Sequence, residues 1–523
     1  MPNIIKPIQD LVKAALTEKR LQELDPNEPK ISIPTRASRA TFVYERMRNA
    51  VDYKEEHLIR RNAVERILRR MIASGNRRDL AENLIHELIH ARYLPNDTIP
   101  QRKIAELEHI FEKYFTLLGH APLKDINDSD SLPGWTLGIM ATEIDEFLVP
   151  PHVMHASINA MYEAMNERMH IEDEIDETTR AKQIYIATSR TLYKNDDDTL
   201  KYHLLLLYYP DWKNANQDII REIGNKLPEL RVLITQDLYH PLKEKLLASC
   251  RKNVAYFSIL SDIVAEDPSG SWHDMQLGTQ FNERIKKRCQ TNYNDSRLTL
   301  HRSIRRSIIY LVVTKFFIAI ILEIPLEIFL LNSFDVIPLL INLMFPPTLL
   351  AIIALSTKLP DDENTKIIIT GINRFIKGEK EIIQVQKKRK QSIILQIIFV
   401  ISYGALFTLS FGLLFYILDQ LKFSIVSMVI FFFFLSLVSL FAYRIRIVSQ
   451  ELVVTPPRKG MIRAIWTFLA IPILHAGKYM STKFAKINVF IFILDFVIEA
   501  PFKSFIKITE EWMSYVHEKK EEI

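Results

Sequence analysis

Four long apolar runs constrain this chain more than any other feature of its sequence. They cover residues 307–331, 336–355, 393–418 and 423–443. Each is close to the ~20 residues that a helix needs to cross a hydrocarbon layer of ~30 Å. Because lipid cannot hydrogen-bond to backbone amides, such runs fold as helices. The sequence therefore predicts a transmembrane block over residues 307–447, made of two helical hairpins.

Basic residues lie on one consistent side of these runs. Arg302, Arg305 and Arg306 precede the first run, and nine lysines and arginines lie between residues 358 and 390, after the second run. Positively charged flanks of this kind stay in the cytoplasm. We therefore expect a multi-pass protein of the plasma (inner) membrane with both termini cytoplasmic. Its basic flanks would contact the anionic inner leaflet of the lipid bilayer.

Residues 36–306 predict a cytoplasmic domain built of helices. Apolar residues recur there at helical spacing, as they do in residues 80–89, and glycine- and proline-containing breakers separate the segments. The last of these helices can continue directly into the first apolar run. The later helices are expected over 175–193, 197–208, 215–227, 229–265 and 273–306.

The two ends of the chain form separate segments. Residues 1–35 combine an amphipathic helix with a proline-containing linker, and this helix can dock on its own domain or lie on the membrane surface. Residues 448–523 contain two apolar stretches, 462–474 and 487–498, that are too short for easy spanning. We expect them as interfacial amphipathic helices before a charged tail. The predicted fold is all-α, with these four parts in order.

One short motif has the pattern of a catalytic metal site. Residues 86–90 read HELIH, which places His86 and His90 on one side of a helix, where they can share a Zn²⁺ while Glu87 activates the bound water. The polar face of a solvated helix has the same composition. We therefore expect no resident cofactor and no catalysis here, with a zinc metallohydrolase at the cytoplasmic face as an alternative. Four glutamates could supply a third ligand: Glu106, Glu108, Glu143 and Glu146.

Four ionisable residues lie within or beside the first hairpin: Lys315, Glu323, Glu327 and Asp335. Such groups are costly in lipid and are functional candidates by default. From their positions along a helix, Lys315 can extend toward the inner headgroups and Glu327 lies near the outer interface, so Glu323 is the deep group. Pro325 and a double proline in the second run interrupt both helices. This combination can line an ion path or form a structural hairpin, spanning or re-entrant, and the sequence leaves both open.

The second hairpin is cleaner lipid-spanning sequence. Gly404, Thr408 and Gly412 recur at four-residue spacing, which favours close helix packing against another span, a second copy or a partner protein. The phenylalanine run 431–434 is expected to face lipid.

Other functional classes have little support in the sequence. We find no nucleotide-binding, nucleophile-elbow or CxxC motif. The basic stretch 60–78 is expected to be solvated or to face the inner leaflet, so no nucleic-acid partner is expected. Cys250 and Cys289 fall in the predicted cytoplasmic part, where free thiols are the default.

Several strings resemble a family of bacterial multi-span membrane proteins that have an N-terminal cytoplasmic helical domain and no assigned activity. The resemblance covers most of residues 40–523 and implies the same architecture, with no cofactor or site residue. The strings are 204–212 (LLLLYYPDW), 342–350 (NLMFPPTLL), 361–368 (DDENTKII) and 486–512 (KINVFIFILDFVIEAPFKSFIKITEEW).

Three functions follow as hypotheses. The leading one is a non-enzymatic scaffold that binds partners or organises the membrane, as a homo-oligomer or with other proteins. A transporter or channel that uses the first hairpin is the second. The zinc metallohydrolase is the third.

Overall fold

A computed structural model describes most of the chain. The described residues are 4–22, 28–33, 56–73, 79–119, 126, 128, 130–331, 336–356, 360–379, 382–385, 393–450, 453–454, 475 and 479. Helices account for 82% of the structure and strands for 2%, which confirms the all-α fold class. Asp335, residues 23–27 and 34–35 of the predicted linker 21–35, and nearly all of the predicted interfacial segment 448–523 lie outside the described residues.

Within the described residues the chain forms two compact units. Unit 1 comprises Met1–Gln276 together with Phe375–Val385, and unit 2 comprises Leu277–Arg374 and the described residues from 393 onward. The division therefore falls about 30 residues before the predicted one at 306. Unit 1 is also discontinuous in sequence, which the sequence analysis did not anticipate.

Thirteen α-helices, a 3-10 helix at Pro210–Asn214 and two short strands make up unit 1 in the described residues. The predicted segment 229–265 is three helices rather than one, and residues 203–208 are helical. The helices are α1 (Lys6–Gln22), α2 (Glu56–Ala73), α3 (Leu80–His90), α4 (Arg102–Leu118), α5 (Leu132–Leu148), α6 (His152–Arg168), α7 (Glu177–Leu192), α8 (Asp197–Tyr208), α9 (Gln217–Asn225), α10 (Leu227–Leu238), α11 (Lys243–Arg251), α12 (Val254–Glu266) and α13 (Pro268–Leu277). The strands are β1 (Met169–Ile171) and β2 (Ile383–Val385).

Local sequence sets several of these helix starts. Ser131, Asp176, Asp196 and Asn216 each accept a hydrogen bond from the backbone N–H three residues later, and so cap α5, α7, α8 and α9. The predicted apolar stripe on α3 is confirmed, because Leu84, Ile85 and Leu88 are among the fully buried residues of the core. Capping residues and apolar stripes within each segment therefore determine several of the helices of unit 1.

Two contacts close unit 1. The helix α1 docks on α6 and α12 through buried residues that include Ile8 and Leu11, so the docked alternative describes this helix. Strand β2 pairs in parallel with β1, with Met169 opposite Ile383. The guanidinium of Arg168 also lies 3.8 Å from the centre of the Phe375 ring. Contacts between residues about 200 positions apart in the sequence therefore hold the two segments of unit 1 together.

Unit 2 is built around a bundle of long helices. Helix α14 (Thr279–Ile318) runs without interruption through the predicted domain boundary into a π-helical segment, Ala319–Glu323, and then α15 (Ile324–Leu331). Helices α16 (Val336–Ser356) and α19 (Ile425–Gln450) pack against α14 and each other. Helices α17 (Asp362–Ile376, its last two residues in unit 1) and α18 (Ile393–Gln420) complete the described part.

Among the described residues, three helices are long and apolar enough to cross a membrane. They are Thr279–Phe329, Val336–Ile353 and Ile393–Gln420. The fourth predicted run forms α19, whose apolar stretch, Ile425–Ser439, is shorter. This bundle has apolar side chains on its surface and charged side chains inside, the reverse of a water-soluble protein. Phe329 is 83% exposed, whereas Lys315 and Glu323 are completely buried.

Candidate functional site

An ion pair between Lys315 and Glu323 lies at the centre of unit 2. In a regular α-helix these two residues would point about 80° apart. The π-helical turn between them absorbs about one residue, which brings them to nearly the same face. Pro325 explains this turn, because its ring cannot donate a hydrogen bond to the preceding turn and would collide with the carbonyl there. The Nζ of Lys315 donates to Oε2 of Glu323 over 3.0 Å.

Two further helices supply polar groups to Glu323. The amide nitrogen of Asn342 on α16 donates to Glu323 Oε1 and also, over 3.2 Å, to the backbone carbonyl of Ser427 on α19. The hydroxyl of Ser427 lies 2.9 Å from the same Glu323 oxygen. Phe434 covers Lys315, with its ring centre 4.8 Å from Nζ. Three helices therefore converge on one buried carboxyl group.

Glu327 extends this group toward the end of α15. Its Oε1 lies 2.5 Å from the hydroxyl of Ser427 and accepts a hydrogen bond of 2.9 Å from Ser424. Ser427 therefore bridges the two carboxyl groups. We call Lys315, Glu323, Glu327, Asn342, Ser424 and Ser427 the Glu323 cluster. Along the helix axis it extends ~18 Å from Lys315 to Glu327, over half of a hydrocarbon layer.

Ser427 cannot donate a hydrogen bond to both carboxyl groups of the Glu323 cluster at once. Ser427 has one hydroxyl hydrogen but contacts a carboxyl oxygen of both Glu323 and Glu327. Two ionised carboxylates would leave one of these contacts as an oxygen–oxygen repulsion. One additional hydrogen between the two carboxyl groups would satisfy both contacts.

One acceptor in the cluster remains open. The Oδ1 atom of Asn342 is buried and has no hydrogen-bond partner among the described residues. Exchanging the amide oxygen and nitrogen does not help, because the nitrogen faces two acceptors, Glu323 and the Ser427 carbonyl. A buried carbonyl oxygen of this kind is a suitable ligand for a water molecule or a small cation.

The structure changes the expected roles of the predicted residues. Lys315 does not extend toward headgroups: it is fully buried and paired with Glu323, because the π-helical turn aligns the two. Glu327 is buried at 4% exposure and is part of the cluster. Asp335, the fourth candidate, lies outside the described residues. The phenylalanine run does not simply face lipid, since Phe431 and Phe434 are buried while Phe433 is exposed.

Sequence reasoning missed the uncharged members of the cluster. Asn342, Ser424 and Ser427 carry no charge and match no motif, so nothing distinguishes them from other polar residues of the apolar runs. An asparagine in the middle of an apolar run was a usable signal, because its amide must find a partner there.

The small-residue face of α18 lies apart from this cluster. Gly404, Thr408 and Gly412 are all exposed. Apart from the neighbouring backbone of α18 itself, no atom of the described residues lies within 4 Å of a Cβ built at either glycine. The close helix packing predicted for this face is therefore not made within the described part of the chain.

The HELIH motif does not form a metal site in the described residues. His86 is half-exposed near Glu82, and Glu87 forms an ion pair with Arg70 of α2. No third histidine, cysteine, aspartate or glutamate of the described chain joins His86 and His90 as a possible ligand. The zinc metallohydrolase therefore gains no support from this motif.

Another titratable cluster appears in unit 1 instead. Glu146 on α5, His155 on α6 and His203 on α8 lie together, with His203 Nε2 2.7 Å and His155 Nε2 3.1 Å from Glu146 Oε1. Burial alone would raise the pKa of the Glu146 carboxyl, but His203 and His155 hold that pKa well below its ordinary value. The sequence analysis named Glu146 as a partner for HELIH, and the structure places it here.

The basic stretch after residue 60 is largely paired internally. Arg60 donates to Asp145, Arg69 to Glu65, and the buried Arg61 contacts carboxylates from α2 and from the start of α8. The expectation of a solvated or leaflet-facing surface therefore does not hold for these arginines, because carboxylates of unit 1 surround them.

Comparisons with known proteins add no family to this description. The resemblance to a bacterial membrane-protein family therefore stays a prediction. The chain matches no protein-family model and has no significant match among curated proteins or solved structures.

Proposed function

We propose that unit 2 spans the membrane and that the protein is a proton-coupled membrane transporter whose proton site is the Glu323 cluster. The observation that carries the proposal is the buried chain of Lys315, Glu323, Ser427 and Glu327, in which one serine bridges two carboxyl groups. Ionisable residues are rarely placed inside a lipid-spanning bundle for packing alone, since each is costly to insert.

The inverted polarity of unit 2 supports its position in lipid. Large apolar side chains such as Phe329, Ile337 and Phe399 are more than half exposed, and an apolar surface of this extent is unfavourable in water. Unit 1 is built from two chain segments that flank the predicted first hairpin, and this supports the hairpin. A compact body lies on one side of a membrane, so a chain that leaves unit 1 after Gln276 and returns at Phe375 crosses an even number of times.

Proton movement through the cluster needs no large rearrangement. In the proposed step, a proton bound to Glu327 passes to the Ser427 oxygen while the Ser427 hydroxyl hydrogen passes to Glu323. One O–H bond breaks and one forms at Ser427, which ends unchanged. The net result is a proton moved from Glu327 to Glu323, next to Lys315.

Low polarity around the cluster couples this proton to a second ion. Removing the proton from Glu327 would leave a second negative charge in a medium where unpaired charges are strongly disfavoured. Departure of the proton is therefore favourable only when a positive charge replaces it. The open Oδ1 of Asn342 offers an oxygen ligand for that replacement.

Flux measurements in proteoliposomes test the proposal. The full chain is reconstituted with a pH-sensitive dye inside, and a potassium diffusion potential drives protons inward. We expect wild-type flux above that of empty liposomes, and loss of the difference in Glu323→Gln and Glu327→Gln. Ser439→Ala is the matched control, because this buried serine of α19 bonds to the Leu435 backbone carbonyl. Absence of wild-type proton flux with any counter-ion tested would contradict the proposal.

A scaffold function is the second candidate, and the exposed face of α18 favours it. Only 11% of the apolar window of this helix is buried, and its two glycines leave room for a close neighbour. A second copy packed on this face would give a homo-oligomer. A cysteine at Gly412, in a chain with Cys250→Ser and Cys289→Ser, should then form an oxidised dimer in native membranes. A cysteine at exposed Ile417, about 140° around α18 from Gly412, is the control.

A further inference from the structure

We propose that Glu146, His155 and His203 bind a divalent transition-metal ion of the zinc class. The three residues come from α5, α6 and α8, all within unit 1, so the proposal is independent of the transport function. Their ligand atoms, one carboxylate oxygen and two imidazole nitrogens, lie within 4.8 Å of one another. Two histidines and one carboxylate are a recurrent ligand set for Zn²⁺ and for related ions such as Co²⁺ and Fe²⁺.

Only one of the two carboxylate oxygens of Glu146 has hydrogen-bond partners. Both imidazole nitrogens approach Oε1, whereas Oε2 is buried and has no hydrogen-bond partner among the described residues. The side chain is only 8% exposed. A buried carboxylate oxygen without a hydrogen-bond donor is unfavourable. An ion among the three side chains would satisfy this oxygen, since carboxylates bind metals through one or both oxygens.

The ligand distances are compatible with this chemistry. Zinc binds imidazole nitrogen at ~2.0–2.1 Å and carboxylate oxygen at ~2.0–2.2 Å, so ligands at tetrahedral angles lie ~3.3 Å apart. The observed separations from Glu146 Oε1 are 2.7 and 3.1 Å. Small rotations of the side chains would therefore admit an ion.

A neighbouring tyrosine fixes one of the ligands. The hydroxyl of Tyr185 on α7 lies 3.3 Å from Nδ1 of His203, the ring nitrogen that faces away from Glu146. Metal-bound histidines commonly use this second nitrogen in an outer hydrogen bond, which sets the ring orientation and leaves the other nitrogen free for the ion.

The cluster opens onto a cavity of about 970 Å³ that Glu146 and His155 both line. His155 is partly exposed, at 38%, whereas His203 and Glu146 are buried behind it. An ion with three protein ligands would therefore keep an open coordination position toward this cavity, for water or a small ligand. Open positions are typical of catalytic metal sites, and four protein ligands are typical of structural ones.

Cobalt binding to the full chain tests the proposal. The protein is purified without a polyhistidine tag, treated with chelator and titrated with Co²⁺, whose visible absorption reports coordination by nitrogen and oxygen. We expect one Co²⁺ per chain that Zn²⁺ displaces. We expect binding to be lost in Glu146→Gln and His203→Gln, and weakened by at least about 10-fold in Tyr185→Phe.

Two histidine controls separate this site from the alternatives. His86→Gln removes the first histidine of HELIH, and His152→Gln removes a histidine that lines the same cavity without belonging to the cluster. Both should bind Co²⁺ as the wild type does. Loss of binding in His86→Gln with binding kept in His203→Gln would place the ion at HELIH and overturn the proposal.

Folding of each variant is read from the buried thiol of Cys250, which should resist a thiol reagent as in the wild type. If His203→Gln exposes this thiol, the partly exposed His155→Gln takes its place. Failure of wild-type protein to bind stoichiometric Co²⁺ or Zn²⁺ overturns the proposal without any variant.

Discussion

Glu323 lies eight residues after Lys315 on one continuous helical segment, and their side chains form a fully buried ion pair of 3.0 Å. A regular α-helix would not align them, and the π-helical turn at Ala319–Glu323 does. The pair therefore depends on a local deviation in the backbone. Such deviations in helices frequently occur at functional positions.

Removing the charge of Lys315 alone should destabilise unit 2. We expect Lys315→Met to cost about 3–5 kcal/mol, because it leaves Glu323 buried without a counter-charge. The double variant Lys315→Met/Glu323→Gln should recover most of this loss. Unfolding of the full chain in mixed micelles, followed by far-UV circular dichroism, measures both. Strictly additive losses in the double variant would show that the two residues do not interact.

Infrared spectroscopy should detect the additional proton. We expect a C=O stretching band of a protonated carboxylic acid near neutral pH, since the proposed hydrogen-bond chain through Ser427 carries one proton on its two carboxyl partners. The band should disappear in Glu327→Gln. It should persist in Asp419→Asn, which removes an exposed carboxylate at the end of α18. A wild-type spectrum without the band would contradict the proposed hydrogen-bond chain.

In unit 1, Arg61→Leu should be strongly destabilising at neutral pH. Arg61 is 3% exposed and contacts Glu65, Asp196 and Asp198. Its removal takes away the positive charge that these three partly buried carboxylates share, at a cost of about 3–5 kcal/mol. The accessibility of the Cys250 thiol during denaturation of a Cys289→Ser chain reports this loss.

The penalty of Arg61→Leu should depend on pH in a defined direction. Burial alone would raise the pKa of Asp198, but Arg61 and Lys201 together hold that pKa below its ordinary value of 3.8. A carboxyl group with a depressed pKa stabilises the fold above its unfolded pKa and loses this contribution as the pH falls. The penalty should therefore be complete at pH 7 and shrink below pH ~4. A dipyridyl disulfide, which labels thiols in acid, allows the measurement. A penalty that grows toward acid pH would be inconsistent with this pairing.

Two glycine-to-alanine variants should behave in opposite ways. A Cβ at Gly224 on α9 would lie 2.9 Å from the backbone carbonyl oxygen of Leu117 on α4, which cannot move without shifting that helix. We expect Gly224→Ala to cost about 1–3 kcal/mol. Gly404→Ala meets no atom of the described residues and replaces a helical glycine, so it should be neutral or stabilising by up to about 1 kcal/mol. Thermal unfolding of the two variants provides the comparison.

Periodicity predicted much of the fold because it acts locally. The α3 stripe, the helices at Glu177–Leu192 and Asp197–Tyr208, and the continuity of α14 all follow from patterns within one segment. The division of 229–265 into three helices was missed, since its turn residues lie among otherwise helical spacings. The pairing of β1 with β2 could not be predicted, because three-residue strands carry almost no pattern.

The candidate sites show the same difference between local patterns, which the sequence reveals, and long-range contacts, which it does not. HELIH satisfied a spacing rule, yet the described fold brings no third ligand to it. The ligands of the Glu146 cluster are 9 and 57 residues apart, distances that no motif encodes. Lys315, Glu323 and Glu327 were detectable because charge is unusual in apolar sequence. Their partners on α16 and α19 were visible only once the helices were packed.

The discontinuity of unit 1 has a consequence for biosynthesis. Strand β2 and Phe375 are translated roughly 100 residues after Gln276, which at ~5–20 residues per second is a delay of ~5–20 s. During this interval β1 has no strand partner and Arg168 lacks its aromatic cover. If unit 2 spans the membrane as proposed, the ribosome has already delivered the first hairpin to the insertion machinery by then. The N-terminal body would be completed only after this insertion, and a fragment ending at residue 276 would remain permanently at that unfinished stage.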